Sequence, residues 1–120
     1  MILIVEDDSS VNVAVSRLLE AAGFKTRSFL SAGALLRDTD AFSADCLVLD
    51  VHLPDMNGFD LQRQLAASGF RAPVVVITAH DDPMHRRAAR DIGASAYLTK
   101  PFSSLALVEA VVHATAASKA

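Results

Sequence analysis

The chain has 120 residues, of which 52% are hydrophobic, and a formal net charge of −3. That length suits one domain with its own core, and the acidic balance argues against direct nucleic-acid binding, which needs basic surface. No apolar run nears the roughly 20 residues of a membrane helix, no signal-peptide pattern is expected at the start, and the single cysteine, Cys46, allows neither a disulfide framework nor zinc spacing.

Ile2-Leu3-Ile4-Val5 is a first strand that stops at Glu6-Asp7-Asp8. Ser9 or Ser10 is expected to cap a first helix through its hydroxyl. Asp8 is expected to help begin that helix rather than bind metal. Val11, Val15, Leu18, Leu19 and Ala22 recur at helical spacing, and Gly23 follows at the place where helices commonly end. A second strand is expected over Lys25–Phe29 and a short helix over Ala32–Arg37. Cys46-Leu47-Val48-Leu49 is the third strand and ends at Asp50, with Cys46 expected as a small buried hydrophobe.

Residues 51–58 read as a loop, because Pro54 and Asn57-Gly58 are turn residues. Phe59, Leu61 and Leu65 mark a third helix ending near Gly69. Val74-Val75-Val76-Ile77 is the most apolar strand and ends at Thr78. Pro83 suits the first turn of a fourth helix, which runs through Arg86–Ile92 to Gly93. Ala96–Thr99 is the fifth strand and ends at Lys100-Pro101. The last helix is expected to bury Leu105, Val108, Val111 and Val112 on one face. The domain is expected over 1–116, with 117–120 as a tail or the start of a linker.

Strands that alternate with helices five times imply one doubly wound α/β domain, a parallel sheet with helices on both faces. The mean hydropathy of +0.32 fits a sheet buried on both sides. In such a sheet the C-terminal ends of all strands share one edge, where ligands bind. Glu6, Asp7, Asp50, Thr78 and Lys100 are thereby expected in one crevice. Three carboxylates and one ammonium leave two negative charges, which a hard divalent cation such as Mg²⁺ would cancel. An aspartate can attack phosphorus and form an aspartyl phosphate, and a cation and a lysine would neutralise charge on the transferred group.

Ile2–Asp8 (ILIVEDD), Leu47–Gly58 (LVLDVHLPDMNG), Val75–Ala79 (VVITA) and Tyr97–Phe102 (YLTKPF) together resemble the response-regulator receiver domain of two-component signalling. The resemblance spans essentially the whole chain. It implies the strand order 2-1-3-4-5, Asp50 as phosphoacceptor and Mg²⁺ as the cofactor. Asp7 and Asp50 would hold the metal with the backbone carbonyl of His52, and Glu6 would assist through water. Thr78 would be the switch hydroxyl, Tyr97 the switch aromatic and Lys100 the partner of the phosphoryl oxygens. Lys100-Pro101 would be a cis peptide.

The implied partner is a sensor histidine kinase, in a cytoplasmic setting, and the domain would be a switch rather than an enzyme. The stretch DVHLPDMNGFDLQRQL resembles regulators with a helix-turn-helix DNA-binding output domain. Such a domain outside these 120 residues and a stand-alone receiver both stay open. So does a phosphorylation-dependent homodimer, through the fourth and fifth helices or the first.

His52 and His80 are expected to shape the access of water to the phosphoryl group. His80-Asp81-Asp82 with His85 reads as a solvated loop and helix cap rather than a second metal site, and Arg86 and Arg90 as a solvated face. Two other functions compete. A phosphatase with an aspartyl intermediate would want an acid where His52 stands. A flavodoxin-like binding module would want glycines or hydroxyls, not Glu6-Asp7-Asp8, in its first loop.

Overall fold

Five strands, β1 (Ile2–Val5), β2 (Thr26–Phe29), β3 (Cys46–Asp50), β4 (Val74–Thr78) and β5 (Ala96–Thr99), alternate in the computed structural model with five helices, α1 (Ser9–Ala21), α2 (Ala32–Leu36), α3 (Gly58–Ala67), α4 (Pro83–Asp91) and α5 (Ser104–Lys119). The described residues run from 1 to 119, without the side chains of 117–119, and the tail expected over 117–120 lies outside them in that respect. All pairings are parallel and the order is β2-β1-β3-β4-β5, as the resemblance implied.

Every residue of β1, β3 and β4 is buried, as strands covered on both faces require. Successive side chains of a strand point to opposite faces, and here they feed two separate cores. Leu3, Val5, Leu47, Leu49, Val74 and Val76 meet Leu35 of α2, Leu61 and Leu65 of α3 and Ala89 of α4. Ile2, Ile4, Cys46, Val48, Val75 and Ile77 meet Val15 and Leu19 of α1 and Leu107 and Val111 of α5. Gly23, Gly69 and Gly93, at φ of 100°, 104° and 69°, turn the chain out of α1, α3 and α4 in a conformation that favours glycine.

Two helix expectations are corrected. Neither Ser9 nor Ser10 caps α1; Asp8 does, its Oδ1 accepting from the Ser10 and Val11 N–H groups at 2.9 and 3.3 Å. The carboxylate adds a favourable charge at the helix start, and the serines fall inside the first turn. Asp8→Ala is expected to cost about 1 kcal/mol, read from the urea midpoint. Ser9→Ala should leave that midpoint nearly unchanged.

In α5, Leu107, Val111 and Ala114 are buried, while Leu105 and Val112 are 65% and 48% exposed. The helix is apolar on most sides, so several stripes at helical spacing compete. The stripe that closes on Ile4, Val48 and Ile77 is not the one with the largest residues. The sequence reading also missed a 3₁₀ turn at Ala41–Ser43. Among the described residues no helix is long and apolar enough to cross a membrane.

Candidate functional site

The strand ends do converge. One carboxylate oxygen each of Glu6, Asp7 and Asp50 lies within 4.8 Å of the others, the only such group of metal-ligating side chains among the described residues. Glu6 and Asp50 are buried and Asp7 is exposed. Lys100, carried over this edge by β5, donates from Nζ to Glu6 Oε2 and Oε1 at 2.9 and 3.0 Å and stands 3.6 Å from Asp50 Oδ2. The lysine is thus held mainly by Glu6. The Lys100–Pro101 peptide is cis, as the resemblance implied.

Burial dominates the electrostatics. Loss of water pushes the Glu6 carboxyl up to about 7, against the pull of the Lys100 hydrogen bond. Burial raises Asp50 as well, opposed by its hydrogen bond with Glu6, the charge of Lys100 and the His52 N–H. The two acids face each other, so burial and mutual repulsion favour keeping a proton on the pair up to about neutral pH. Lys100 is raised because it sits against both acids, which outweighs its own burial. An all-oxygen donor set that is short of positive charge fits a hard divalent cation.

Thr78 is fully buried. Its Oγ1 accepts from the His80 N–H at 3.0 Å and donates to the His80 carbonyl at 3.3 Å, so the hydroxyl is engaged with the β4–α4 loop. Asp82 caps α4 by accepting from the His85 N–H at 2.7 Å, which agrees with the cap reading of this segment. The rings of His52 and His80 meet edge to face at 5.0 Å, and His85 also meets His52 edge to face, at 5.3 Å. The Nδ1 of His85 is 2.6 Å from the His80 carbonyl.

Tyr97 on the edge strand β5 is half-buried, and its hydroxyl donates to Asp81 Oδ1 at 3.2 Å. Arg86 holds the same carboxylate with two bonds, Nε to Oδ1 at 2.7 Å and Nη2 to Oδ2 at 2.5 Å, and its guanidinium lies 6.0 Å from the Tyr97 ring centre. Arg86 is therefore more than a solvated face residue. Its hydrogen bonds keep the Asp81 carboxyl below the usual range, and burial together with Asp81 raises the Tyr97 phenol.

Two contributors were not visible in the sequence pattern. Asn12, 4% exposed on α1, donates from Nδ2 to the carbonyls of Glu6 and Phe29, both at 3.0 Å. It ties the ends of β1 and β2 together directly behind the acidic residues. A polar residue where the helix faces the sheet was its only signal. Gly58, at the start of α3, has a backbone N–H that donates to the Val51 carbonyl at 2.7 Å and closes the β3–α3 loop beneath Asp50. It is a close-approach position, not the turn residue that Asn57-Gly58 suggested; Asn57 caps α3 through the Phe59 N–H at 2.8 Å.

Comparison with known proteins agrees with this geometry. The family model of the response regulator receiver domain matches residues 2–112. The response regulator protein TmoT of Ectopseudomonas mendocina is 40% identical over 112 residues, which is 92% of this chain and 50% of TmoT. Nodulation protein W of Bradyrhizobium diazoefficiens is 40% identical over 116 residues, 96% of this chain and 51% of that protein. The chain thus spans about half the length of these relatives. Among solved structures, the BeF3-activated DrrB receiver domain superposes with a TM-score of 0.84 at 30% identity, covering 93% of each chain. Sequence, fold and strand-end acids lead to one assignment: this chain belongs to the response-regulator receiver domains.

Proposed function

We propose that the chain is a phosphoacceptor switch in which Asp50 takes a phosphoryl group from a phosphohistidine. The observation that carries this is the buried Asp50 beside Glu6, Asp7 and Lys100 at the shared strand edge. In the transfer, an Asp50 oxygen forms the new P–O bond, the P–N bond to the donor breaks, and the imidazole takes its electron pair. Asp7, Asp50 and the His52 carbonyl would hold Mg²⁺, with Glu6 acting through water. The cation supplies charge neutralisation for the transferring group.

Lys100 then exchanges part of its hold on Glu6 for a phosphoryl oxygen. Thr78 gives up its bonds to His80 and donates to another. His52 and His80 narrow the approach of water from the loop side. Tyr97 turns inward into the space that Thr78 and its loop leave. In this reading a sensor histidine kinase is the donor, and the setting is cytoplasmic. The half of the relatives that this chain does not span would supply a DNA-binding output domain. Phosphorylation favours the active arrangement, and a homodimer of that arrangement belongs to the same proposal.

The test is intact-mass spectrometry after incubation with acetyl phosphate, with and without Mg²⁺. A single phosphoryl adduct is expected on the wild type with Mg²⁺, and none on Asp50→Asn. If neither acetyl phosphate nor a phosphohistidine donor modifies the wild type, the reading is wrong.

Tyr97 is the only tyrosine and there is no tryptophan, so intrinsic fluorescence reports the switch position directly. Asp81→Ala frees the Tyr97 hydroxyl and should lower the BeF3⁻ concentration at half-change roughly two- to fivefold, the scale of a partly exposed ionic contact. An unchanged titration would show that Asp81 does not restrain the ring.

A further inference from the structure

Between β3 and α3 the chain makes a short excursion over 51–57 that is fixed at three places. Its base is closed by the Gly58 N–H to the Val51 carbonyl and by an antiparallel bridge between His52 and Asn57. Its middle is held by Leu53 and Met56, which pack against the core beneath α2 and α3. Its tip is held by Asp55, whose carboxylate spans two consecutive N–H groups of α2. Oδ1 accepts from Ala32 at 3.1 Å and Oδ2 from Gly33 at 2.8 Å.

These are first-turn donors with no partner inside the helix. The next one, from Ala34, is taken by Ser31 Oγ at 3.2 Å. The anchor is firm because Ala32 and Leu35 are fully buried. Asp55 itself is exposed, and besides capping α2 it ties that helix to the loop that leaves β3 at Asp50. The loop it pins carries His52, whose carbonyl is the one proposed cation ligand that no side-chain rotamer can adjust.

We propose that Asp55 is a positioning residue for the cation site: by clamping the tip of the β3–α3 loop onto the first turn of α2, it fixes the His52 carbonyl for the divalent ion. The proposal rests on the reading of the acidic cleft given above. Groups that hydrogen-bond to metal ligands typically change affinity 10- to 100-fold, and Asp55 acts one step further out, so a loss of roughly three- to tenfold is expected. Gly33 is the other half of the clamp. A Cβ there would lie 3.1 Å from Asp55 Oδ2 and 3.4 Å from Arg37 Nη1, so the carboxylate would have to give by a few tenths of an ångström, which loosens the clamp. Alanine is a better helix former than glycine, which offsets part of what α2 loses when the Asp55 acceptors loosen.

The experiment is Mn²⁺ binding by electron paramagnetic resonance, with Mg²⁺ competition, on the wild type, Asp55→Ala, Asp55→Asn, Gly33→Ala and Asp50→Asn, each checked for folding by its urea transition. Asp55→Ala should bind roughly three- to tenfold more weakly, and Asp55→Asn, which keeps one acceptor oxygen, should fall between it and the wild type. Coupling is reciprocal. Saturating Mg²⁺ should therefore slow hydrogen exchange of the Ala32 and Gly33 amides in the wild type by the factor that Asp55→Ala loses in affinity, which a purely structural cap would not show.

Wild-type affinity in folded Asp55→Ala, or in folded Asp55→Asn and Gly33→Ala should the alanine variant not fold, overturns this proposal alone. Unchanged exchange of those two amides does the same. A wild type that binds no Mn²⁺, or binding that survives Asp50→Asn, overturns the reading of the cleft and this proposal with it.

Discussion

Gly58→Ala is expected to lower stability by about 2–3 kcal/mol and to abolish phosphoryl transfer to Asp50 in the protein that still folds. An added Cβ would sit 2.3 Å from the Asp50 carbonyl oxygen, 3.0 Å from Val51 Cα and 3.1 Å from the Asp50 carbonyl carbon. All three neighbours are backbone, so no flexible side chain can swing aside. The helix cannot back away either, because Phe59 and Leu61 are 4% and 0% exposed and hold the first turn of α3 in the core. The remaining relief is to push the end of β3, and Asp50 with it, out of register with Lys100 and Asp7. Urea denaturation reads the first effect and the intact-mass assay the second. Leu65→Ala, a core truncation on the same helix costing a similar 2–5 kcal/mol, is the control and should keep its adduct. If folded Gly58→Ala is phosphorylated at the wild-type rate, the contact does not govern the site.

The same glycine shows where the sequence stopped being readable. Asn57-Gly58 looks like a turn by composition, and only the distance to Asp50 reveals why a side chain is excluded. The strand ends were legible because each apolar run stops at a polar residue, and a parallel sheet puts those stops on one edge. Their pattern could not supply the strand order, which came from the resemblance; alternating strands and helices are compatible with several orders. The face of α5 was read correctly only at Val111, because an apolar helix offers more than one stripe, and only the partner surface selects Leu107 and Ala114 beside it.

The contacts of Asn12, Asp55 and Asp81 were out of reach for a different reason. Each joins groups distant in the chain, Asn12 to Phe29, Asp55 to Gly33 and Asp81 to Tyr97, and each residue type is ordinary in a helix, loop or cap. Spacing carries information about local periodicity, but not about which of many surface acids meets which amide.

Lowering the pH from 8 to 6 is expected to weaken apparent Mg²⁺ affinity about tenfold. With the Glu6 carboxyl near 7, the metal-free site is largely ionised at the higher pH and about nine-tenths protonated at the lower, and a cation must displace that proton. The effect on stability has the opposite sign from the usual acid denaturation. Glu6 titrates at 4.5 when unfolded and at about 7 when folded, so the native state holds the extra proton between these values. Metal-free stability therefore falls as pH rises through this window, by at most about 3 kcal/mol from this group, and stays lost above it.

Asp38, Asp55 and Asp81, all lowered from 3.8, contribute stability that is already complete above that value and disappears only in stronger acid, so they do not mask the window. Mg²⁺ supplies the missing positive charge, so its upward shift of Tm should be larger at pH 8 than at pH 6. Melting curves and Mg²⁺ titrations of the wild type and Glu6→Gln across this range measure both effects. The glutamine variant, with no proton to hold at this position, should lose Glu6's share of the metal-free slope and of the pH dependence of binding, leaving the share of Asp50, which burial also raises. Equal Mg²⁺ affinity at the two pH values in the wild type would mean that no proton leaves on binding. Glu6 would then either be charged before the cation arrives, with Lys100 alone offsetting Glu6, Asp7 and Asp50, or keep its proton beside the bound cation, and the metal-free slope of the same melting curves separates the two.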